Sequence, residues 1–164
     1  MAFGGASSQL GEPVFTPFPA YAQDRTLEPP QHFSEDCLTL NIWRPAHSNQ
    51  PLPVLFWIYG GAYAMGNAAM ALYSGEAMAR EGAVVVSANY RVGLFGFFAH
   101  PSLPKSATNA GLRDLLMALR WVQDNIAAFG GDPHNVTIQG ESAGSAAVNT
   151  LLVCPQAKGL FIVP

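Results

Sequence analysis

The segment that most restricts the fold runs from Val136 to Leu152, because it joins a strand pattern to a helix pattern through a very tight turn. Val136 to Gln139 is rich in β-branched residues and predicts a short strand. Gly140 to Gly144 has the sequence GESAG, which fits G-x-S-x-G, and the small and apolar residues after it predict a helix packed closely on a sheet. A strand, a sharp turn and a helix in this order predict an α/β architecture that presents Ser142 at the carboxyl end of the strand.

Two other stretches predict that the sheet is parallel. Val54 to Tyr59 (VLFWIY) and Ala83 to Ala88 (AVVVSA) are apolar throughout except for Ser87, which is typical of strands covered by helices on both faces. Residues 37–44 alternate between apolar and polar side chains and predict a further strand. Between the two apolar strands, Leu72 to Arg80 predicts a short helix with Ser74 as its N-cap. Helices that alternate with strands imply right-handed parallel crossovers.

The longest predicted helix spans Asn109 to about Phe129. Its apolar residues recur at helical spacing and form one stripe: Leu112, Leu115, Leu116, Leu119, Val122 and Ile126. The sequence Gly130-Gly131-Asp132-Pro133 is expected to end this helix. The glycine- and phenylalanine-rich region from Gly93 to Pro104 is expected to be a long loop.

Composition excludes several classes of partner. Hydrophobic residues make up 49% of the 164 residues, charged residues only 12%, and the net charge is −3. Nucleic acids and anionic membranes need a basic patch, so neither is an expected partner. No apolar run is long enough to predict a membrane span, and no signal-peptide pattern is visible, which leaves the compartment open. The two cysteines have no metal-site spacing, and no metal or cofactor is expected.

The N-terminal residues differ in character from the rest of the chain. Residues 1–34 are rich in proline, which excludes a helix interior or a central strand and predicts an irregular arm. Residues 35–164 carry all the strand and helix patterns described above. They are therefore expected to form one α/β unit.

A second glycine-rich turn follows the first apolar strand. Tyr59-Gly60-Gly61-Ala62-Tyr63 lies at the same carboxyl edge of the sheet as Ser142. A nucleophilic serine in G-x-S-x-G requires backbone N–H donors for a developing oxyanion, one from the residue after it and more from an earlier loop. Ala143, Gly61 and Ala62 are the natural donors. A phosphate loop is the rival interpretation, but it lacks G-x-G-x-x-G and a following Lys-Ser/Thr pair. A chance match at the serine and a plain structural turn at the glycines remain open.

Four segments in this order and spacing resemble the type-B carboxylesterase family, which includes the cholinesterases. They are SEDCLTLNIW, PVLFWIYGGAYAMGN, VVVSANYRVGLFGFF and GLRDLLMALRWVQDNIAAFGGDPHNVTIQGESAG. The resemblance covers about Ser34 to Phe161. It implies an α/β-hydrolase fold, here an incomplete, mostly parallel sheet with helices on both faces. The implied strand order is 37–44, 83–88, 54–59 and 136–139.

The resemblance also implies an activity and the residues that perform it. Members hydrolyse carboxylic esters through an acyl-enzyme, with a small-molecule ester as substrate and no cofactor. By motif position Ser142 is the nucleophile, and Tyr59 stands where many members have histidine. The implied oxyanion donors are Gly61, Ala62 and Ala143. The implied supporting residues are Gly60, Gly140, Gly144, Glu141 and an internal ion pair between Arg91 and Asp114.

The triad partners of Ser142 are not found in this sequence. The resemblance places an acidic residue and then a histidine far beyond the serine, yet no residue after Ser142 is Asp, Glu or His. His32, His47, His100 and His134 all precede it, and none is expected to be the base. We therefore expect the N-terminal part of an esterase, cut after the helix that follows Ser142. Alone it should be inactive or very weak, and its exposed strand edge should favour self-association or pairing with a missing C-terminal part. The alternative is a non-catalytic interaction protein on the same scaffold.

Overall fold

The computed structural model describes residues 6–7 and 33–162. Most of the predicted irregular arm, and His32 with it, lies outside the described residues. Within them, Ala6–Ser7 (β1) pairs in parallel with Phe33–Ser34 (β2). This small ladder is separate from the main sheet.

The main sheet has four strands in a mixed arrangement. They are Leu40–Trp43 (β3), Leu52–Ile58 (β4), Val84–Ala88 (β5) and Gly131–Gly140 (β6). Their order is β3-β5-β4-β6, which confirms the predicted order. The central strand β4 runs parallel to both β5 and β6, whereas β3 is antiparallel to β5. The sheet is thus mostly parallel, as predicted, with one antiparallel edge.

Helices cover both faces of this sheet. Val54 on β4 lies beside Ile126, which follows the long helix Ala110–Asn125 (α3). On the opposite face, Val85 of β5 lies against Gly75, at the start of the short helix Glu76–Arg80 (α1). All five residues of β5 are buried, which is the physical reason why its sequence is apolar on both faces rather than alternating. The one polar residue, Ser87, donates its hydroxyl to the Ala68 carbonyl oxygen at 3.3 Å.

The long helix and the helix after Ser142 are close to their predicted positions. The α-helix α3 continues as a 3-10 turn over Ile126–Phe129 and ends at Gly130, whose φ is +82°. Burying the predicted apolar stripe of α3 against the sheet provides its stability. The helix after Ser142 is Ala143–Leu152 (α4), and a 3-10 turn at Pro155–Ala157 follows it.

The helix predicted over Leu72 to Arg80 is wrong in detail. The chain forms a 3-10 turn at Ala71–Tyr73, and α1 begins only after Gly75. Ser74 is extended (ψ 122°), and Gly75 is the N-cap residue of α1, although the Ser74 Oγ accepts a hydrogen bond from the Glu76 N–H at 3.4 Å. The cause is tertiary, because a Cβ at Gly75 would lie 2.6 Å from the Val85 side chain. The backbone comes so close to the sheet here that a regular helix cannot pass through Ser74 and Gly75.

The loop predicted over Gly93 to Pro104 contains a short helix, Gly93–Phe97 (α2), and a 3-10 turn follows at Lys105–Ala107. Glycines have low helix propensity, which is why the sequence favoured a loop. Here they serve packing: Cβ atoms at Gly96 and Gly111 would lie 2.0 and 2.4 Å from the Arg91 carbonyl oxygen. Close packing of both α2 and α3 on the Arg91 backbone therefore overrides the local preference.

The strand that leads to Ser142 lies at the edge of the sheet. Among residues 33–162 no strand pairs with β6 on the side away from β4. One hydrogen bond reaches β6 from the end of the described chain, from the Ile162 N–H to the Val136 carbonyl oxygen at 2.8 Å.

None of the described helices has both the length and the apolar character needed to cross a bilayer.

Candidate active site

Ser142 occupies a strained bend between β6 and α4. Its backbone has φ 53° and ψ −121°, and its side chain is exposed. Residues other than glycine rarely adopt such a positive φ, and holding one there costs on the order of 1–3 kcal/mol. Ser142 is the N-cap residue of α4, so it lies next to the first N–H groups of the helix, which have no intrahelical acceptor.

Two glycines, one on each side of Ser142, make this bend possible. A Cβ at Gly144 would lie 2.1 Å from the Ile58 carbonyl oxygen and 2.8 Å from the Tyr59 carbonyl oxygen. A Cβ at Gly140 would lie 2.5 Å from the Gly144 carbonyl carbon. Because these neighbours are backbone atoms, they cannot rotate away. The spacing of the glycines in G-x-S-x-G thus reflects the contact between the first turn of α4 and the end of β4.

The loop after β4 lies beside Ser142. A Cβ built on Gly60 would come within 2.9 Å of the Ser142 Cβ. The next three residues all have positive φ: Gly61 at +106°, Ala62 at +55° and Tyr63 at +59°. The N–H groups of Ala64 and Met65 close the turn by donating to the Gly61 carbonyl oxygen at 2.9 and 3.1 Å. The structure therefore brings the two predicted glycine-rich turns together.

The three predicted oxyanion donors are unused within the described part of the chain. No hydrogen bond among residues 33–162 has the backbone N–H of Gly61, Ala62 or Ala143 as its donor. Unpaired N–H groups are costly when they are shielded from water, and Ala143 is buried. These groups are chemically suited to an anionic oxygen beside Ser142.

Arg91 and Asp114 form the ion pair that the resemblance implied. Nε and Nη2 of Arg91 donate to the two carboxylate oxygens of Asp114 at 2.8 and 2.7 Å, and the Arg91 backbone N–H donates at 3.0 Å. The hydrogen bond to Asp114 is the main cause of a raised pKa at Arg91. Because Asp114 is buried on α3, the pair fastens the segment after β5 to that helix.

Glu141, which the resemblance implies as a supporting residue, is exposed. Its carboxylate makes no hydrogen bond or ion pair with any residue of 33–162. One carboxylate oxygen lies against Gly60, where a Cβ would come within 2.5 Å of it.

None of the described histidines contacts the serine. Ser142 Oγ makes no hydrogen bond to an imidazole or carboxylate among residues 33–162. His134 lies in β6 six residues before Gly140, which corresponds to about 20 Å along a strand. His100 Nδ1 is 2.7 Å from the Ser102 Oγ, and His47 is exposed in the loop before β4. The described residues therefore supply a serine and N–H donors but no base.

The described residues do not supply a metal site either. No cluster of three or more His, Cys, Asp or Glu side chains within them is arranged to hold an ion, and Cys37 and Cys154 are both free.

A cleft of about 340 Å³ lies between the loop before β4 and the start of β6, with Arg44 and Asp132 among its lining residues. It is at the amino ends of the strands, whereas Ser142 is at the carboxyl ends.

A family comparison agrees with this geometry. The family model described as the carboxylesterase family matches residues 15–162. The chain belongs to the carboxylesterase family. Over 145 residues this carboxylesterase-family chain is 48% identical to a cholinesterase of Mus musculus, covering 88% of the chain and 24% of the relative. Over 134 residues it is 49% identical to a fumonisin B1 esterase of Sphingopyxis macrogoltabida, covering 78% of the chain and 25% of the relative.

Membership of the family assigns the architecture as α/β-hydrolase. The chain spans about a quarter of the length of each of these relatives.

The sequence does not predict one feature of the site, the packing of two tyrosines against each other. Tyr59 and Tyr90 are fully buried and stack on each other. They lie beneath the loop of residues 60–66, which we call the glycine loop. In the sequence, Tyr59 stands out only as a replacement for histidine. No periodic pattern links it to Tyr90, because the two strands that precede these tyrosines become neighbours only in the folded sheet.

Proposed function

We propose that this chain carries the nucleophile and the oxyanion hole of a carboxylic ester hydrolase that acts on a small-molecule ester through an acyl-enzyme. The observation that carries the proposal is the strained Ser142, which is exposed at φ 53° and lies beside a loop in which the N–H groups of Gly61 and Ala62 have no acceptor among residues 33–162. Strain of this kind persists only where the surroundings impose it, and it is concentrated at functional sites. The similarity to an esterase and a cholinesterase supports the same chemistry.

In the proposed reaction the Ser142 Oγ attacks the ester carbonyl carbon while a base takes its proton. The carbonyl oxygen becomes an oxyanion that accepts hydrogen bonds from the N–H groups of Gly61, Ala62 and Ala143. The C–O bond to the alcohol then breaks, and the base returns the proton to the leaving oxygen. Water repeats the sequence on the acyl-serine, releasing the acid and restoring the hydroxyl.

The base is the part that the described residues do not contribute. We infer that an acidic residue and a histidine from further polypeptide complete the site, since serine is a weak nucleophile without an adjacent base. The length of the relatives supports this inference, because each is about four times as long as the region they share with this chain. The chain alone is therefore expected to hydrolyse activated esters little above the uncatalysed rate.

The test is selective labelling of Ser142 by a serine-directed phosphonate with free imidazole added as the base. We expect Ser142 to be labelled at least about tenfold faster than Ser145. This is a modest fraction of the 10²–10³ that a single oxyanion donor contributes in complete enzymes. Ser145 is the matched control because it is also exposed and lies one turn further along, inside α4. Peptide mass spectrometry measures both adducts over time.

Two variants sharpen this test. Ser142→Ala should remove the fast adduct and leave the slow one, whereas Ser145→Ala should do the reverse. Equal labelling rates at the two serines in the folded chain would contradict the proposed nucleophile. Rapid labelling without imidazole would instead show that a base lies within this chain.

The open edge of β6 supports a second proposal, which concerns association rather than chemistry. We propose that this edge pairs with further polypeptide and that, without it, the chain associates with itself, as unpaired edges do. Sedimentation velocity should show a mass that rises with concentration, and Thr137→Lys, at an exposed position of β6, should reduce the association. A single sharp monomer boundary at all concentrations would rule out self-association through the edge.

A further inference from the structure

The two buried tyrosines beneath the glycine loop are joined by reciprocal hydrogen bonds. Tyr59 directly follows β4, Tyr90 comes two residues after β5, and their rings stack with centroids 4.5 Å apart. The Tyr59 hydroxyl donates to the Tyr90 carbonyl oxygen at 3.1 Å and accepts from the Tyr90 N–H at 3.3 Å. The Tyr90 hydroxyl donates to the Tyr59 carbonyl oxygen at 2.7 Å. Each side chain therefore holds the backbone of the other.

Both hydroxyls remain donors over the usual pH range. Burial raises the pKa of Tyr59 and of Tyr90 far above that of an exposed tyrosine. Both hydroxyls therefore keep the proton with which they donate to the backbone carbonyl oxygens.

The glycine loop and the first turn of α4 both contact the peptide group that joins Tyr59 to Gly60. Its carbonyl carbon is bonded to the nitrogen of Gly60, where the glycine loop begins. The same carbonyl oxygen would lie 2.8 Å from a Cβ on Gly144, so the first turn of α4 rests on it. At the far end of the loop, a Cβ on Gly66 would come within 2.6 Å of the Tyr59 ring. The loop therefore leaves from the Tyr59 backbone and returns onto the Tyr59 side chain.

From this geometry we propose that Tyr90 is a positioning residue for the oxyanion hole, acting through its hydrogen bond to the Tyr59 carbonyl. That bond fixes the peptide plane before Gly60 and thereby the direction of the N–H groups of Gly61 and Ala62. The segment after Tyr90 holds the loop a second time, because the Gly93 N–H donates to the Tyr63 carbonyl oxygen at 2.6 Å. The ordering of the loop can be tested by itself, and only its chemical consequence rests on the proposed function.

The test compares Tyr90→Phe with Tyr59→Phe in the same chain. Each variant removes one buried hydroxyl from the same stack, but only Tyr90→Phe releases the Tyr59 carbonyl. Amide hydrogen exchange at Ala64 and Met65 reports the loop, since both N–H groups bond to the Gly61 carbonyl oxygen. We expect Tyr90→Phe to raise exchange at these amides at least about tenfold relative to the amides of β5, as loss of one buried hydrogen bond implies. Tyr59→Phe should leave this ratio near that of the unsubstituted chain.

An equal rise at the loop and at β5 would overturn the proposal, because it would mean general destabilisation. An unchanged loop would overturn it as well. If Tyr90→Phe does not fold, exchange of the unsubstituted chain in mild urea decides the matter. The Tyr90 hydroxyl proton and the two loop amides should then share one opening equilibrium, and loop exchange while the hydroxyl stays protected would contradict the proposal.

Phosphonate labelling then separates this proposal from the proposed function. Tyr90→Phe should lower the rate at Ser142 about tenfold at saturating reagent while leaving Ser145 unchanged, as expected for lost oxyanion stabilisation. A loosened loop with an unchanged Ser142 rate would refute the positioning role. If the unsubstituted chain shows no preference for Ser142, the proposed function fails, and the exchange experiment still decides whether Tyr90 orders the loop.

Discussion

Replacing Gly144 with alanine is expected to lower the free energy of unfolding by at least about 3 kcal/mol, which is the upper end of the range for overpacked sites. The added Cβ would lie 2.1 Å from the Ile58 carbonyl oxygen and 2.8 Å from both the Ile58 carbonyl carbon and the Tyr59 carbonyl oxygen. All three are backbone atoms at the end of β4, so relief requires α4 to move away from the sheet. That movement would also displace Ser142, which precedes the helix. Urea unfolding followed by circular dichroism measures the loss.

Ser145→Ala is the matched control for Gly144→Ala. It adds no atom, it lies one residue further along α4, and its side chain is exposed. Alanine has the higher helix propensity, so this variant should be as stable as the unsubstituted chain or slightly more so. Equal unfolding midpoints for the two variants would show that α4 does not rest on β4 in the way described.

Replacing Asp114 with alanine is expected to cost about 2–3 kcal/mol of unfolding free energy, which is within the range for removing a buried, charged acceptor. The buried carboxylate accepts three hydrogen bonds from Arg91, two of them from the guanidinium group and one from the backbone. Without it the Arg91 backbone N–H loses its acceptor and a small cavity opens on α3. The Arg91 side chain is 40% exposed, so water can solvate it, which keeps the cost below that of a fully buried pair.

Asp124→Ala is the control for Asp114→Ala, because Asp124 lies on the same helix with an exposed side chain. Its loss should change stability by less than about 0.5 kcal/mol. Asp114→Asn should fall between the two, since the amide oxygen can still accept but the charge is gone. If both alanine variants unfolded at the same urea concentration, the ion pair would have no part in fastening the segment after β5 to α3.

Much of the fold could be predicted because local patterns and tertiary burial agree. The apolar run at β5 matches a strand that is buried on both faces. In β4 only Val54, Phe56 and Ile58 are buried, and the residues between them are half-buried. The stripe on α3 matches the face that it buries. The order of the four strands followed from the family resemblance and is confirmed by the pairing. The position of Ser142 between strand and helix followed from its flanking glycines.

Predictions failed where a residue's conformation depends on a distant backbone. The break at Ser74 and Gly75 arises from Val85 on β5, and the helix α2 arises from contacts of Gly96 and Gly111 with the Arg91 carbonyl. Glycine lowers helix propensity in an isolated segment. The same absence of a side chain allows two elements to approach closely, and the sequence does not indicate which of these effects will dominate.

The sequence by itself determined the succession of strands and helices, the tight turn at Ser142 and the availability of free N–H groups after β4. These depend on hydrophobic periodicity and on glycine, both of which act over a few residues. Only the tertiary structure decided that Tyr59 and Tyr90 hold each other's backbone beneath the glycine loop. That contact joins residues 31 positions apart in the chain, and it exists because two parallel strands place their carboxyl ends side by side.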